Sequence, residues 1–398
     1  MSESLLYISP YLPEEIRERY ERTWHSRAGL NEMQGTIRSL QTDGWDVTVV
    51  SPVIPGGDGF DTYPVMRAHD EDRDTDVVVP PTATVFGLKP VNYAITVVFT
   101  LVYTVLLYAK LDETVTVSYN LRPETAVPGL LGKYAFGSPY VLQYEDGLFV
   151  HRSRFLRLIA ETTKRLCNNH LDGAVCTNRK LEQVLTTDNT AVVRGYPSIG
   201  MPETLPDPDY ADPDHVVVMF AGHFDRVRGI DRFLDIATTV DVEGVRFWIS
   251  GTGYEEQKHR VRDRVQQLDD DRITYFGTLP WEEYRTRIVS ADILVNFQSP
   301  EAPISEYTFP SKLLDFMSAE RVVVSTDMSD LAEALDDQLV IGGRSTDELR
   351  STMTETIEQY RADKIDTGSH ARDWVEANCT HEHAGAQYGC VLRAAATH

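Results

Sequence analysis

Lysine is nearly missing from this chain. Of its 38 basic residues only 8 are lysines (Lys89, Lys110, Lys133, Lys164, Lys180, Lys258, Lys312 and Lys364), and 61 aspartates and glutamates take the net charge to −23. A surface so short of positive charge repels phosphate backbones, and no basic run interrupts it, which sets nucleic acid aside as a partner. Carboxylates are so frequent that a single Asp or Glu says little about a site.

Cysteine is scarce too, with Cys167, Cys176, Cys379 and Cys390 widely spaced and no CxxC pair among them. A zinc knuckle, a redox dithiol and a disulfide scaffold are therefore not expected, and free thiols in a reducing cytoplasm are. The opening Met1-Ser2-Glu3-Ser4 lacks the basic stretch of a secretory signal, and Leu5–Ile8 is too short for its apolar core. The expected location is cytoplasmic. No repeat or low-complexity segment is visible.

What is present is apolar material for two domains: 398 residues, 42% of them hydrophobic. Short β-branched runs alternate with helical patterns, the sign of βαβ units on parallel sheets. In the first half strands are expected at 5–9, 46–51, 76–79, 114–118, 139–144 and 173–176, with a helix over 30–41 ending at Gly44. A stretch rich in Pro and Asp follows (Pro197, Pro202, Pro206, Pro208, Pro213) and reads as a linker. The alternation then restarts, with strands expected at 216–220, 247–250, 273–276, 293–296, 322–325 and 339–341. Two Rossmann-like domains follow from this layout, with ligands expected in a cleft outside the carboxyl ends of the strands.

Two stretches carry the chemistry. In Phe220-Ala221-Gly222-His223-Phe224-Asp225-Arg226-Val227-Arg228-Gly229 a strand runs into a glycine-bounded turn that opens a helix, with two arginines suited to an anion. In Tyr307-Thr308-Phe309-Pro310-Ser311-Lys312-Leu313-Leu314-Asp315 the proline suits the first turn of a helix, which leaves the amides of Ser311 and Lys312 and the lysine charge for a phosphate. Gly251-Thr252-Gly253 is not a dinucleotide fingerprint, because Glu256 stands where its third glycine belongs.

Together these stretches resemble the retaining GT-B glycosyltransferases of family 4, over about residues 216–341. The first is similar to their G-x-x-x-R-x-x-G turn and the second to their P-S-K-L-x-E-Y-M segment. The resemblance implies that Gly222, Arg226, Arg228, Ser311 and Lys312 bind the donor diphosphate. It implies that Asp315, Gly251, Gly277 and Thr278 bind ribose and base. The chain departs from the pattern at Asp315, which replaces a glutamate, and at Tyr307, where the family has the glutamate that contacts the donor sugar. Glu306 beside it is the candidate for that role.

In the N-terminal half the segments 119–124 and 139–147 are similar to family segments that face the acceptor. Asn120 and Arg27 are placed there, and Glu145 and His25 join Glu306 as catalytic candidates. The implied fold is α/β, GT-B: residues 1–196 for the acceptor, a linker at 197–211, 212–366 for the nucleotide sugar, and a helix in 367–398 crossing back. The implied reaction moves a sugar, with retention, from a nucleotide-sugar donor to the hydroxyl of a saccharide or lipid-linked acceptor. A sugar-nucleotide epimerase, a phosphorylase and a non-catalytic nucleotide-sugar binding protein remain alternatives. No metal or other cofactor is expected: the acidic run 70–76 reads as a solvated loop, and His381 and His383, two apart, share no helix face. The acidic, lysine-poor surface suggests a halophilic protein, whose self-repulsion concentrated salt would screen.

One segment stands apart. Residues 90–109 are uncharged, long enough to cross a bilayer, and bracketed by Lys89 and Lys110. A buried crossover helix, a helix on a membrane surface and a membrane span compete. The span is the least favoured, because it would tear strand 114–118 from strand 46–51.

Overall fold

In a computed structural model the β-branched runs build two sheets, one in each of two units. The structure describes residues 3–17, 27–54, 59–111, 114–147, 150 and 154–397. The first unit comprises Met1–Gly195, Tyr307–Phe309 and Thr380–His398, the second Tyr196–Glu306 and Pro310–Cys379.

The first unit holds an eight-stranded sheet in the spatial order Thr190–Val192, Gly173–Cys176, Tyr140–Tyr144, Val115–Tyr119, Glu3–Ile8, Trp45–Val50, Thr75–Val79, Met66–Asp70. All neighbours are parallel except the last pair. Sheets of this kind are covered on both faces, which is why Leu5-Leu6-Tyr7-Ile8 reads as a continuous apolar run: all four are wholly buried.

Four strands escaped the sequence reading: Phe60–Tyr63, Met66–Asp70, Thr82–Val85 and Thr190–Val192. Each is five residues or shorter and mostly polar or half-exposed, so period-2 patterning has little to show. The acidic run 70–76 turns out to be the turn of a hairpin. Asp70 is buried there and accepts hydrogen bonds from the Tyr11 hydroxyl and from Arg73.

The Lys89–Tyr108 helix is inside out. It buries Asn92, Thr96, Thr100 and Thr104 and exposes Val91, Val98, Val102 and Leu106. The threonine stripe is held by specific bonds: Thr96 Oγ1 lies 2.8 Å from Thr82 Oγ1, and Asn92 Oδ1 accepts from the Val85 amide. Of the competing readings, plain core burial describes only its polar stripe.

The second unit has six parallel strands: Val216–His223, Val245–Thr252, Ile273–Gly277, Ile293–Asn296, Val322–Thr326 and Val340–Gly342. Numbered along the chain, their spatial order is 3-2-1-4-5-6, the doubly wound order of dinucleotide-binding folds. The order reverses at Val216–His223 and Ile293–Asn296, the place where such sheets bind ligands.

The stretch read as a linker lies on this unit. Arg285 donates to Ile199 O, Ser318 to Gly200 O, and the Arg287 guanidinium stacks 4.1 Å from the Tyr210 ring. The C-terminal segment is two helices, Thr367–Asn378 and His381–Ala396, broken at Cys379. Thr380 caps the second by accepting from the His383 amide. That second helix packs in the first unit against Arg27–Thr42, where Gly385 and Gly389 admit the close approach: a Cβ on either would lie within 2.4 Å of Ser39 or Asp43.

Candidate functional site

The switch point of the second sheet gathers the strongest chemistry. Val216–His223 ends in Gly222 and His223, and Gly251 follows on the neighbouring strand. Gly251 must be glycine, because a Cβ would meet Gly222 O at 2.0 Å. The chain then makes a short turn in which Asp225 Oδ1 accepts from the Val227 amide at 2.8 Å. Gly229 closes it at φ +91°, in the left-handed region.

Within that turn the Arg228 amide donates to Asp225 O and the Gly229 amide to Arg226 O. The amides of Val227, Arg228 and Gly229 are thus already engaged. The anion-binding capacity expected from the turn's backbone rests on side chains instead.

Lys312 supplies the first of them. Its Nζ lies 4.9 Å from the Phe220 ring centre, 5.8 Å from that of Phe316, and 3.5 Å from Val295 O. The residue keeps some surface, but the ammonium itself is enclosed. Burial, and then the charge of Arg228, lower its pKa to about 7. A Cβ at Gly222 would stand 3.4 Å from this nitrogen, so glycine keeps the strand end open beside it.

Arg228 is exposed and is the arginine that acts on Lys312. Its Nη1 donates to Gln298 Oε1 at 2.6 Å, and Gln298 Nε2 donates to Ser305 Oγ at 2.9 Å, both partners being wholly buried. This relay holds the guanidinium end of the side chain by one of its nitrogens. Arg226, given the diphosphate role by its position, is 75% exposed and sits 3.6 Å from Asp231. Asp231 is already held by Arg260 and Arg264, so Arg226 is only loosely tethered.

His223 was passed over in the sequence, although it follows Gly222 at the strand end. Its Nδ1 accepts from the Asp225 amide at 3.1 Å, which assigns the proton of the neutral ring to Nε2. Burial and the Arg228 charge push its pKa down.

The carboxylate expected at the ribose is committed elsewhere. Asp315 is buried, and its Oδ1 accepts from the Ser198 amide (2.5 Å), the Ser198 hydroxyl (2.9 Å) and the Ile199 amide (3.1 Å). Gly251 O and Gly277 O accept from Thr278 and Ser250, tying the ends of two strands together. Ser311 is exposed just before the Lys312–Ser318 helix. Glu306 is exposed at the end of the short turn Pro303–Glu306 and lends its carbonyl to Ser329.

In the first unit Asn120 adopts φ +59° and its Oδ1 accepts from the amides of Glu145 and Asp146. It shapes the strand end that carries Glu145. His25 lies outside the described residues, as does the side chain of Arg27. Among the described residues no three His, Cys, Asp or Glu side chains gather as a metal would require.

Residues 215–359 match the family described as Glycosyl transferases group 1. The second unit is a glycosyltransferase domain. No curated protein sequence matches the chain. Among solved structures, sucrose-phosphate synthase from Thermosynechococcus elongatus superposes with a TM-score of 0.70 at 14% identity, covering 98% of each chain. Trehalose 6-phosphate synthase from Burkholderia multivorans gives 0.65 at 9% identity, covering 100% of this chain and 98% of that one. HepE of Anabaena, in complex with UDP, gives 0.64 at 12%, covering 98% and 99%. At such identities the likeness establishes the fold, GT-B with two Rossmann-like domains.

Proposed function

We propose that this glycosyltransferase moves a sugar from a nucleoside-diphosphate sugar to an acceptor hydroxyl, as a retaining enzyme of family 4. The observation that carries the reading is the pairing of Arg228 with an enclosed Lys312 at the switch point of a sheet that matches the group 1 family. Charge develops on the leaving diphosphate as the sugar departs, and cations held in a partly dry site stabilise that charge more than the ground state. A bound diphosphate also restores the proton that Lys312 tends to lose when the site is empty. His223, through Nε2–H, stands ready as a neutral donor, and Arg226 is free to swing in.

The bound UDP of HepE makes UDP the first donor fragment to try. Nucleoside diphosphates and their sugars should raise the melting temperature, by about 2.7 kcal/mol of stabilisation at a hundred times Kd. Release of diphosphate that depends on an added hydroxyl acceptor establishes transfer. Release without acceptor identifies an epimerase, dependence on inorganic phosphate a phosphorylase, and binding without turnover a carrier.

The inside-out Lys89–Tyr108 helix supports a second element of the proposal: the protein works at the cytoplasmic face of a membrane, on a lipid-linked acceptor. The outward stripe of Val91, Val98, Val102 and Leu106 is apolar, Phe86 and Leu88 extend it, and exposed Lys110 stands at its end. Flotation with liposomes in high salt tests it, and protein that stays wholly at the bottom of the gradient refutes it.

A further inference from the structure

One helix of the first unit runs against the charge of the whole chain. Arg154–Cys167 carries Arg154, Arg157, Lys164 and Arg165 against a single acid, Glu161, in a protein whose net charge is −23. Arg154, Arg157, Leu158, Thr162, Arg165 and Leu166 are exposed and recur at helical spacing along one side. Leu158 is 63% exposed and Leu166 49%, while Ala160, Thr163 and Cys167 are buried. Cations and large apolar side chains are thus turned outward together.

This helix shares a flank of the unit with Lys89–Tyr108. The connections from Thr75–Val79 to Val115–Tyr119, then to Tyr140–Tyr144 and then to Gly173–Cys176 all step the same way across parallel strands. Right-handed crossovers place their helices on one face of the sheet. Pro123–Phe136 is the middle one and packs against both Lys89–Tyr108 and Arg154–Cys167.

Exposed aromatic rings join the three helix ends. Phe136 stacks on Tyr108 with ring centres 4.9 Å apart, and Tyr134 meets His170, just past Cys167, edge-on at 5.4 Å. Phe136 and Tyr134 are both exposed. The outward stripe of Val98, Val102 and Leu106 therefore continues through these rings to the end of the basic helix.

A contiguous apolar surface of this extent marks a place of contact. Its mixture of groups decides the partner. A nucleic acid would use the arginines and leave the leucines and valines in water. A bilayer with anionic headgroups uses both, because apolar side chains enter the acyl boundary while cations meet the negative surface.

We propose that the Arg154–Cys167 helix is a site for anionic lipid headgroups, bound through Arg154, Arg157 and Arg165 with Leu158 and Leu166 in the bilayer surface. It rests on the membrane attachment proposed above for Lys89–Tyr108 and adds to it the charge of the lipid. The basic helix also orients the protein, since an anionic surface repels a molecule of net charge −23.

Vesicle flotation of the full chain tests it, with phosphatidylcholine alone and with phosphatidylglycerol added. At about 0.1 M potassium chloride the wild type should bind the anionic vesicles about tenfold or more tightly than the neutral ones, a preference that should shrink to within about threefold at 1 M. Replacing all three arginines (Arg154→Gln, Arg157→Gln, Arg165→Gln) should abolish the preference and leave neutral vesicles and UDP bound as before. All three side chains are exposed, and a circular dichroism melt checks the fold; should the triple variant melt early, Arg157→Gln alone reads the same preference at smaller amplitude. The proposal is overturned if the wild type binds both vesicles alike or if the arginine variant keeps the preference. If Val98→Asp then still abolishes flotation, the attachment through Lys89–Tyr108 stands without it. Conversely, an anionic preference that survives Val98→Asp and is lost with the arginines upholds this site and removes the other. Protein that ignores both vesicles and sediments as a dimer overturns it in favour of a second copy of the chain.

Discussion

Gly229 lies hard against Phe297. A Cβ on Gly229 would stand 2.0 Å from the Phe297 carbonyl oxygen, and the residue's φ of +91° is one that side chains resist. The contact presses the arginine turn onto the strand end that leads to Gln298, which in turn holds Arg228.

Gly229→Ala should therefore be costly twice over, in backbone strain and in steric overlap. Chemical denaturation should show a loss of about 3 kcal/mol or more, and affinity for UDP should fall with it. A variant with wild-type stability and UDP binding would show that the turn is not pinned.

Lys312→Met should make the empty protein more stable while abolishing diphosphate binding. The folded pKa of about 7 lies below the ordinary lysine value. Between about pH 7 and 10 the unfolded chain holds a proton that the folded chain has released, so stability without ligand rises with pH across that window. The gain in melting temperature from Lys312→Met should accordingly be larger at pH 6 than at pH 9. Calorimetry at pH 8, in buffers of different ionisation heat, should show proton uptake when UDP binds wild type.

Asp315→Asn should act on folding before it acts on nucleotide. Asparagine turns a donor toward the Ser198 corner that Asp315 now satisfies, costing about 1–3 kcal/mol. UDP and its 2′-deoxy analogue should lose affinity equally. A selective loss for the ribonucleotide would return Asp315 to the ribose.

Stability should rise with salt. The net charge is −23, and the screening length falls from about 10 Å at 0.1 M to about 3 Å at 1 M. A melting temperature that is flat or falling across that range of potassium chloride would contradict this.

Val98→Asp should fold normally, because Val98 is 56% exposed and surface changes are usually worth within about 0.5 kcal/mol. It should reduce flotation with liposomes. Loss of the circular dichroism melt would instead show that the stripe is covered by protein.

Much of the fold was legible because buried parallel strands write themselves as unbroken apolar runs: Val216–Phe220 and Ile293–Asn296 are read within a few residues of their observed bounds. Gly44, at φ +95°, marks its helix end as a glycine should. Strands such as Thr82–Val85, whose partner is the four-residue strand Phe60–Tyr63 in a two-stranded sheet, have no such signature. The site was legible as motif and not as geometry. Spacing singled out Lys312 and Arg228, yet nothing in it could show that Asp315 faces Ser198 or that Arg226 leans to Asp231. The burial of Thr36 and Ser39 was invisible for a simple reason. Their helix face is polar in composition, and the His381–Ala396 helix meets it from far along the chain.

That distant helix has a consequence for the order in which the protein can be made. The N-terminal unit cannot close over Arg27–Thr42 until the ribosome has released His381–Ala396, since Gly385 and Gly389 are what fit against Ser39 and Asp43. Until then the nascent unit must wait with that flank open, whereas every strand of the sheet in the second unit has been translated before Thr367. The half that emerges first is the half that finishes last.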